Sequence, residues 1–242
     1  MTPTETAAAV ALPISTFGTK FMLDPAFYII PAERGWAGMD FYFVGRGGVL
    51  GECGGDIVAA AFGFMEPAMV RSMWDQGRSV APVADAVALF AEGCADWGRQ
   101  RFGTDIELDE LASLAARVVV AADPSGNTLF TGWRSVSVPT DGAGAVALHL
   151  QTLREHRGGA HLMAVRAAGV TPLEAVLANG GEGVASFFGH QPPFPDVAGL
   201  TEQVAAAEEM TNHIAAQPYE ALDPSERARF VELVGAVRAA IG

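Results

Sequence analysis

Thr171-Pro172-Leu173-Glu174 narrows what this chain can become more than any other short stretch. Threonine at the N-cap, proline at the first helical position and glutamate at the third satisfy the orphan amides of a helix start reciprocally. Asp223-Pro224-Ser225-Glu226 repeats the logic near the end of the chain, ahead of Phe230, Leu233, Val234, Val237 and Ile241 on one helical face. Upstream, Val83, Val87, Phe90, Cys94 and Trp97 recur at spacings of four, three, four and three, and Leu108, Leu111, Ala115 and Val118 form a second stripe. Such periods place apolar side chains on one side of a helix. The expected fold is therefore mainly α.

Residues 1–20 are small, polar and punctuated by proline, which predicts a loose tail. Residues 21–242 then form a single helical domain, or two packed halves at about 21–122 and 123–242. From Phe21 to Met73 the chain is rich in aromatics, and breaks at Gly47-Gly48, Gly54-Gly55 and Pro67 predict short helices. Asp123 to Asn127 reads as a turn, and the alternation in TLFTGWRSVSVP after it predicts a short β-hairpin or wing. Helices follow over Ala145–Arg157, Ala160–Ala168 and Pro172–Asn179, and then a proline-rich loop, Gly189 to Gly199, placed to cover a site.

His161 to Leu177 is a helix, a turn centred on Gly169 and a second helix, the shape of a DNA-reading helix-turn-helix. The overall expectation is a winged-helix-like, helix-turn-helix-derived helical fold. The second helix, PLEAVLANG, holds no Arg, Lys or Gln to reach base edges. The formal net charge is −13, whereas duplex binding draws on clustered cations. Both features lead to the expectation that nucleic acid is not a partner and that the motif serves packing. The same charge, and the lack of any apolar run near the roughly 20 residues that span a bilayer, argue against a membrane partner. Met1 to Leu12 lacks the basic start of a signal peptide, and Cys53 and Cys94 stand alone, so the expected compartment is cytoplasmic.

Three of the five histidines, His149, His156 and His161, fall within thirteen residues. His149 and His156 share a helical face. Gly158-Gly159 is expected to bend the chain and bring His161 back toward that helix end. A histidine beside a carboxylate and an arginine suits acid–base work: Glu155 would orient His156, and Arg157 would hold an anionic group. The same charges also suit a plain helix C-terminus, with Arg154 and Arg157 capping it, so the residues alone leave both readings open. The histidine spacing fits no common zinc signature, and no metal is expected. GxSxG, Walker and GxGxxG patterns are missing, so no cofactor is expected either.

LHLQTLREHRGGAHLMAVRAAGVTPLEAVLANG is similar to a block of the SalK-like family, actinobacterial proteins labelled as helix-turn-helix containing. GMDFYFVGRGGVLG, FGFMEPAMV, ADPSGNTLFTGWRSVSVP and EEMTNHIAAQPYEAL resemble further parts, so the likeness runs from about Phe27 onward. The chain departs from it in two places. Gly159 and Ala160 stand where the family commonly has EHRGDGH, and VASFFGHQPPFPDVAG replaces a Trp-rich stretch. The resemblance implies a member with its own ligand, associated with natural-product gene clusters.

Three readings compete. The first is a cofactor-independent enzyme, or enzyme subunit, of secondary metabolism. It would carry out proton transfer, elimination or intramolecular cyclisation on a small anionic substrate. His156, Glu155 and His161 would be catalytic; Arg157, Arg46, Tyr42, Phe64, His149 and Phe187 would bind substrate. The second is a non-catalytic protein that binds a ligand or partner, including a homo- or hetero-oligomer with a pathway protein. The third, ranked last, is a transcriptional regulator.

Overall fold

The computed structural model describes residues 1–242 and contains twelve α-helices and no strand. In chain order these are α1 (Pro3–Met22), α2 (Ile29–Glu33), α3 (Met39–Gly47), α4 (Gly55–Phe62), α5 (Pro67–Arg78) and α6 (Val83–Arg101). There follow α7 (Leu108–Ala121), α8 (Thr128–Trp133), α9 (Gly142–Ala167), α10 (Pro172–Phe187), α11 (Thr201–Ile214) and α12 (Pro224–Ile241). No single helix is long and apolar enough to cross a membrane.

Helix α9 is the axis of the molecule, and α1, α6, α7, α8 and α11 all pack on it. One cluster of 49 buried residues runs from Ala7 to Val237, so both ends of the chain share its core. Its centre is aromatic: the Phe21 and Phe27 rings lie 4.5 Å apart, and Phe90 sits 5.5 Å from Trp133.

Three expectations about local structure need correction. Residues 1–20 are not a loose tail. Thr2 caps α1 in a reciprocal box with Glu5, and Ala7, Val10, Ile14, Phe17 and Phe21 are buried along one stripe. Pro13 lies inside this helix; the burial of five apolar side chains outweighs the one backbone hydrogen bond a proline removes. The expected β-hairpin or wing is absent. Asn127 caps α8 by accepting from the Phe130 amide, and Leu129, Phe130 and Trp133 turn into the core at helical spacing. Tertiary burial there overrides the β preference of Thr, Phe and Trp.

The third correction bears on the site. Gly158-Gly159 does not bend the chain, because α9 runs unbroken for 26 residues through both. The glycines are there for closeness. A Cβ at 159 would collide with the Asn127 side chain, whose amide donates to the carbonyls of Glu155 and His156 at 3.3 and 2.8 Å. A Cβ at 158 would meet open space.

The helix-turn-helix forms as its caps require. Gly169, at a φ of 76°, lets its own amide reach the Arg166 carbonyl at 3.2 Å and the Val170 amide reach that of Val165 at 3.1 Å. That pair of bonds is a Schellman stop, and Val165 and Val170 pack together beneath it. Two residues later Thr171 and Glu174 cap each other, with bonds of 3.2 and 2.8 Å. Helix α10 then breaks at Gly181, whose φ is 71°. Before the break Ala175 packs with Val165 of α9 and Ala207 of α11, and beyond it Ala185 is buried with Val176 and Leu177.

Candidate functional site

A cavity of about 540 Å³ lies between α1, α3, α9 and the end of α10. Ile14, Met22, Met39, Phe62, Met65 and Phe188 make much of it apolar. The polar groups come mainly from one face of α9, where Arg154, Arg157, Gly158 and His161 follow each other at helical spacing.

The floor is a buried charge network. Arg46 on α3 donates from Nε and Nη2 to the two oxygens of Glu155, at 2.7 and 2.8 Å, and from Nη1 to the Tyr42 hydroxyl at 2.7 Å. Its guanidinium lies 4.4 Å from the Phe62 ring centroid. Gln151 and Arg154 also donate to Glu155 Oε1, at 2.7 and 3.1 Å. Burial pushes the Glu155 carboxyl up, but the charge of Arg46 and its bonds, with help from Arg154, carry it below the ordinary carboxylate range. Glu155 is thus a fixed anion, 2% exposed, that accepts bonds from three side chains.

The two arginines differ in what they have left. Arg46 spends both arms of its fork on Glu155. Arg154 gives Glu155 one bond, and the stem of its side chain crosses α1 at Gly18, where any Cβ would collide with it. Two guanidinium groups face one carboxylate, and Arg154 is the one with unused donors in the cavity. Arg157 is spoken for, bonded to Asn212 at 2.9 Å and paired with Glu208.

His161 stacks on Phe64, with centroids 5.5 Å apart, and its Nδ1 lies 2.9 Å from the Thr211 hydroxyl. Burial lowers the affinity of this imidazole for a proton; Glu208 opposes the effect and Arg157 adds to it, and the net shift is downward. A neutral imidazole therefore lines the cavity wall.

The expected catalytic trio is not assembled. Glu155 faces the Arg46 network and His161 lines the large cavity. His156 lies on another side of α9, beside a separate recess of about 180 Å³ with Asp123, Ser125 and Met163. Glu155 cannot orient His156, because adjacent residues on a helix point about 100° apart. His156 packs against the Phe130 ring at 4.9 Å, and burial pushes its pKa down to about 4, with Asp123 opposing. His149, expected at the substrate, is buried away from the cavity, and its proton affinity is lowered by burial. Arg157, Arg46, Tyr42, Phe64 and Phe187 all line the cavity. Arg154 was missed because a helix end was expected at 157. The spacing of 154, 157 and 161 along one face was the available signal.

A family model described as a helix-turn-helix family matches residues 16–193. No curated protein and no solved structure matches the chain. The family match overturns the exclusion of nucleic acid as a partner, since nucleic-acid binding is a use to which helix-turn-helix motifs are put. That exclusion rested on the net charge of the whole molecule and on the lack of Arg, Lys and Gln in PLEAVLANG; the family match stands against both, and it names no small molecule as partner.

Proposed function

The chain belongs to the helix-turn-helix family, and on that premise we propose that its cavity takes a small, largely apolar molecule carrying one anionic group. One observation carries this reading: on the cavity floor Arg46 and Arg154 share the single carboxylate of Glu155. An unbalanced guanidinium beside apolar walls attracts an anion more strongly than it would in water. A volume of about 540 Å³ falls in the range of small-molecule sites.

His161 stands on the same face of α9, two turns beyond Arg154. A neutral imidazole there brings proton transfer, elimination or intramolecular ring closure within reach of the chain's own side chains. The proposed activity is cofactor-independent acid–base chemistry, with Arg154 as anchor and His161 as the acid–base group. The likeness to the SalK-like block supports a substrate from natural-product metabolism. Two unpaired thiols, Cys53 and Cys94, fit a cytoplasmic setting.

Calorimetric titration with octanoate and with octylamine tests the reading. The expected result is binding of the acid and not of the amine, weakened about tenfold or more in Arg154→Gln, the loss of one charge-assisted bond. Equal binding of acid and amine, or an undiminished Arg154→Gln, overturns it.

Family membership favours a second reading, a regulator that binds nucleic acid. Ala178, Asn179 and Glu182 on α10, and Arg166 beside the turn, are exposed. A mobility-shift titration on duplex DNA, repeated across salt concentrations and with octanoate present, tests it. Retardation that falls steeply with salt supports this reading.

A further inference from the structure

The hydroxyl of Thr211 on α11 has one proton, and the contacts around it decide where that proton goes. It lies 2.7 Å from the Ala207 carbonyl oxygen, one helical turn back, and 2.9 Å from His161 Nδ1. A carbonyl can only accept, so the short contact to Ala207 requires the Thr211 proton. The hydroxyl oxygen then has only lone pairs to offer His161. The bond to Nδ1 therefore needs a hydrogen on Nδ1. Glu208 Oε2, 3.8 Å from the same nitrogen, favours a hydrogen there as well. Nε2 has no hydrogen-bond partner in the protein, and His161 lines the cavity.

We infer that Thr211 is a positioning residue that holds His161 as its Nδ1–H tautomer, so that Nε2 presents a proton acceptor to the ligand. This rests on the reading of the cavity as a ligand site and sharpens the ligand's chemistry. Arg154 and His161 are seven residues apart on one helix, which separates their Cα atoms by roughly 10 Å along the axis. Between them Gly158 leaves the wall bare, since a Cβ there would meet nothing. The ligand class is an elongated anion: a carboxylate or similar group at Arg154, an apolar body along Gly158, and a hydroxyl or acidic hydrogen near His161.

Two measurements separate this inference from the reading beneath it. Nitrogen NMR of the imidazoles in the ligand-free protein reads the tautomer directly. The expected spectrum has a pyrrole-like Nδ1 and a pyridine-like Nε2 at His161. It is lost or mixed in Thr211→Val and restored in Thr211→Ser, with thermal unfolding confirming that both variants fold. A pyrrole-like Nε2 in the wild type overturns the inference whatever the cavity binds. Calorimetry with octanoate and its terminally hydroxylated counterpart reads the consequence. The hydroxy acid should bind about fivefold tighter, the factor of one hydrogen bond, and Thr211→Val should shrink that preference while Thr211→Ser keeps it. Equal affinities overturn the assignment of Nε2 as acceptor. Binding of neither acid overturns the ligand site itself, leaving the tautomer to the spectrum.

Discussion

Around Phe90 four aromatic rings, those of Phe21, Phe27, Phe41 and Trp133, lie with centroids 5.1 to 5.9 Å away. Helix α10, by contrast, rests on two small clusters of four and three buried residues outside the main core. The cavity sits on the seam between these regions. Two of its polar lining groups, Arg154 and His161, stand on α9, on which α1, α6, α7, α8 and α11 pack. Its cover, Val184, Phe187 and Phe188, comes from the part of α10 beyond the break at Gly181 and the residue that follows the helix. On the proposed reading, recognition would rest on the heavily packed wall and access on the lightly packed one. Local opening costs least where few apolar contacts must be broken, so α10 is the wall expected to move.

The largest expected effect tests that contrast directly. Phe90→Ala should cost about 4 kcal/mol of unfolding free energy in urea titration, whereas Leu177→Ala, at an edge free to collapse, should cost about 2 kcal/mol. Equal losses would dissolve the distinction between the regions. Hydrogen exchange sharpens it: amides of α10 should open at free energies below the global value, and those of α9 only near it.

Glu155→Gln should cost about 3 kcal/mol, because Arg46 and Arg154 are then left facing each other with no buried anion between them. Denaturation of Arg46→Met/Glu155→Leu against the single variant checks the cause. The double replacement should recover part of the loss, and no recovery would point to packing instead.

Acidification tests the three histidines of α9, of which His156 carries the largest shift. His156 has a folded pKa of about 4 against roughly 6.5 in an unfolded chain. Below about pH 6.5 the unfolded state takes up a proton that folded His156 refuses. Stability should therefore fall with pH through the window from 6.5 to 4, by up to about 1.4 kcal/mol per unit. His149 and His161 are shifted in the same direction, so the comparison with His156→Gln isolates one residue's share. A slope unchanged in that variant would remove His156 from the account.

The smallest effect is a gain. Gly158→Ala adds a Cβ in open space within a helix and should stabilise by about 0.5–1 kcal/mol, read as a raised Tm. Gly158→Leu should keep the fold and fill the cavity, abolishing octanoate binding in the calorimeter.

Sequence patterns were most informative where the cause is local. The boxes at Thr171 and Asp223 formed as expected, each closing within three residues. The β expectation after Asn127 failed because it weighed propensity without the burial of Phe130 and Trp133. The bend expected at Gly158-Gly159 failed for a related reason. Gly159 admits Asn127, which is distant in sequence, and Gly158 leaves a wall bare.

The same division holds at the site. Caps, the Gly169 turn and the 154–157–161 spacing along one helix face were present in the order of residues, since each depends on atoms a turn or two apart. Nothing in that order placed Glu155 against Arg46, 109 residues away, left Arg154 with donors to spare, or set Thr211 beside His161. Those outcomes depend on how α1, α3 and α11 close around α9. Burial and pairing are properties of that closure, and they separated His161 at the cavity from His156 in its recess.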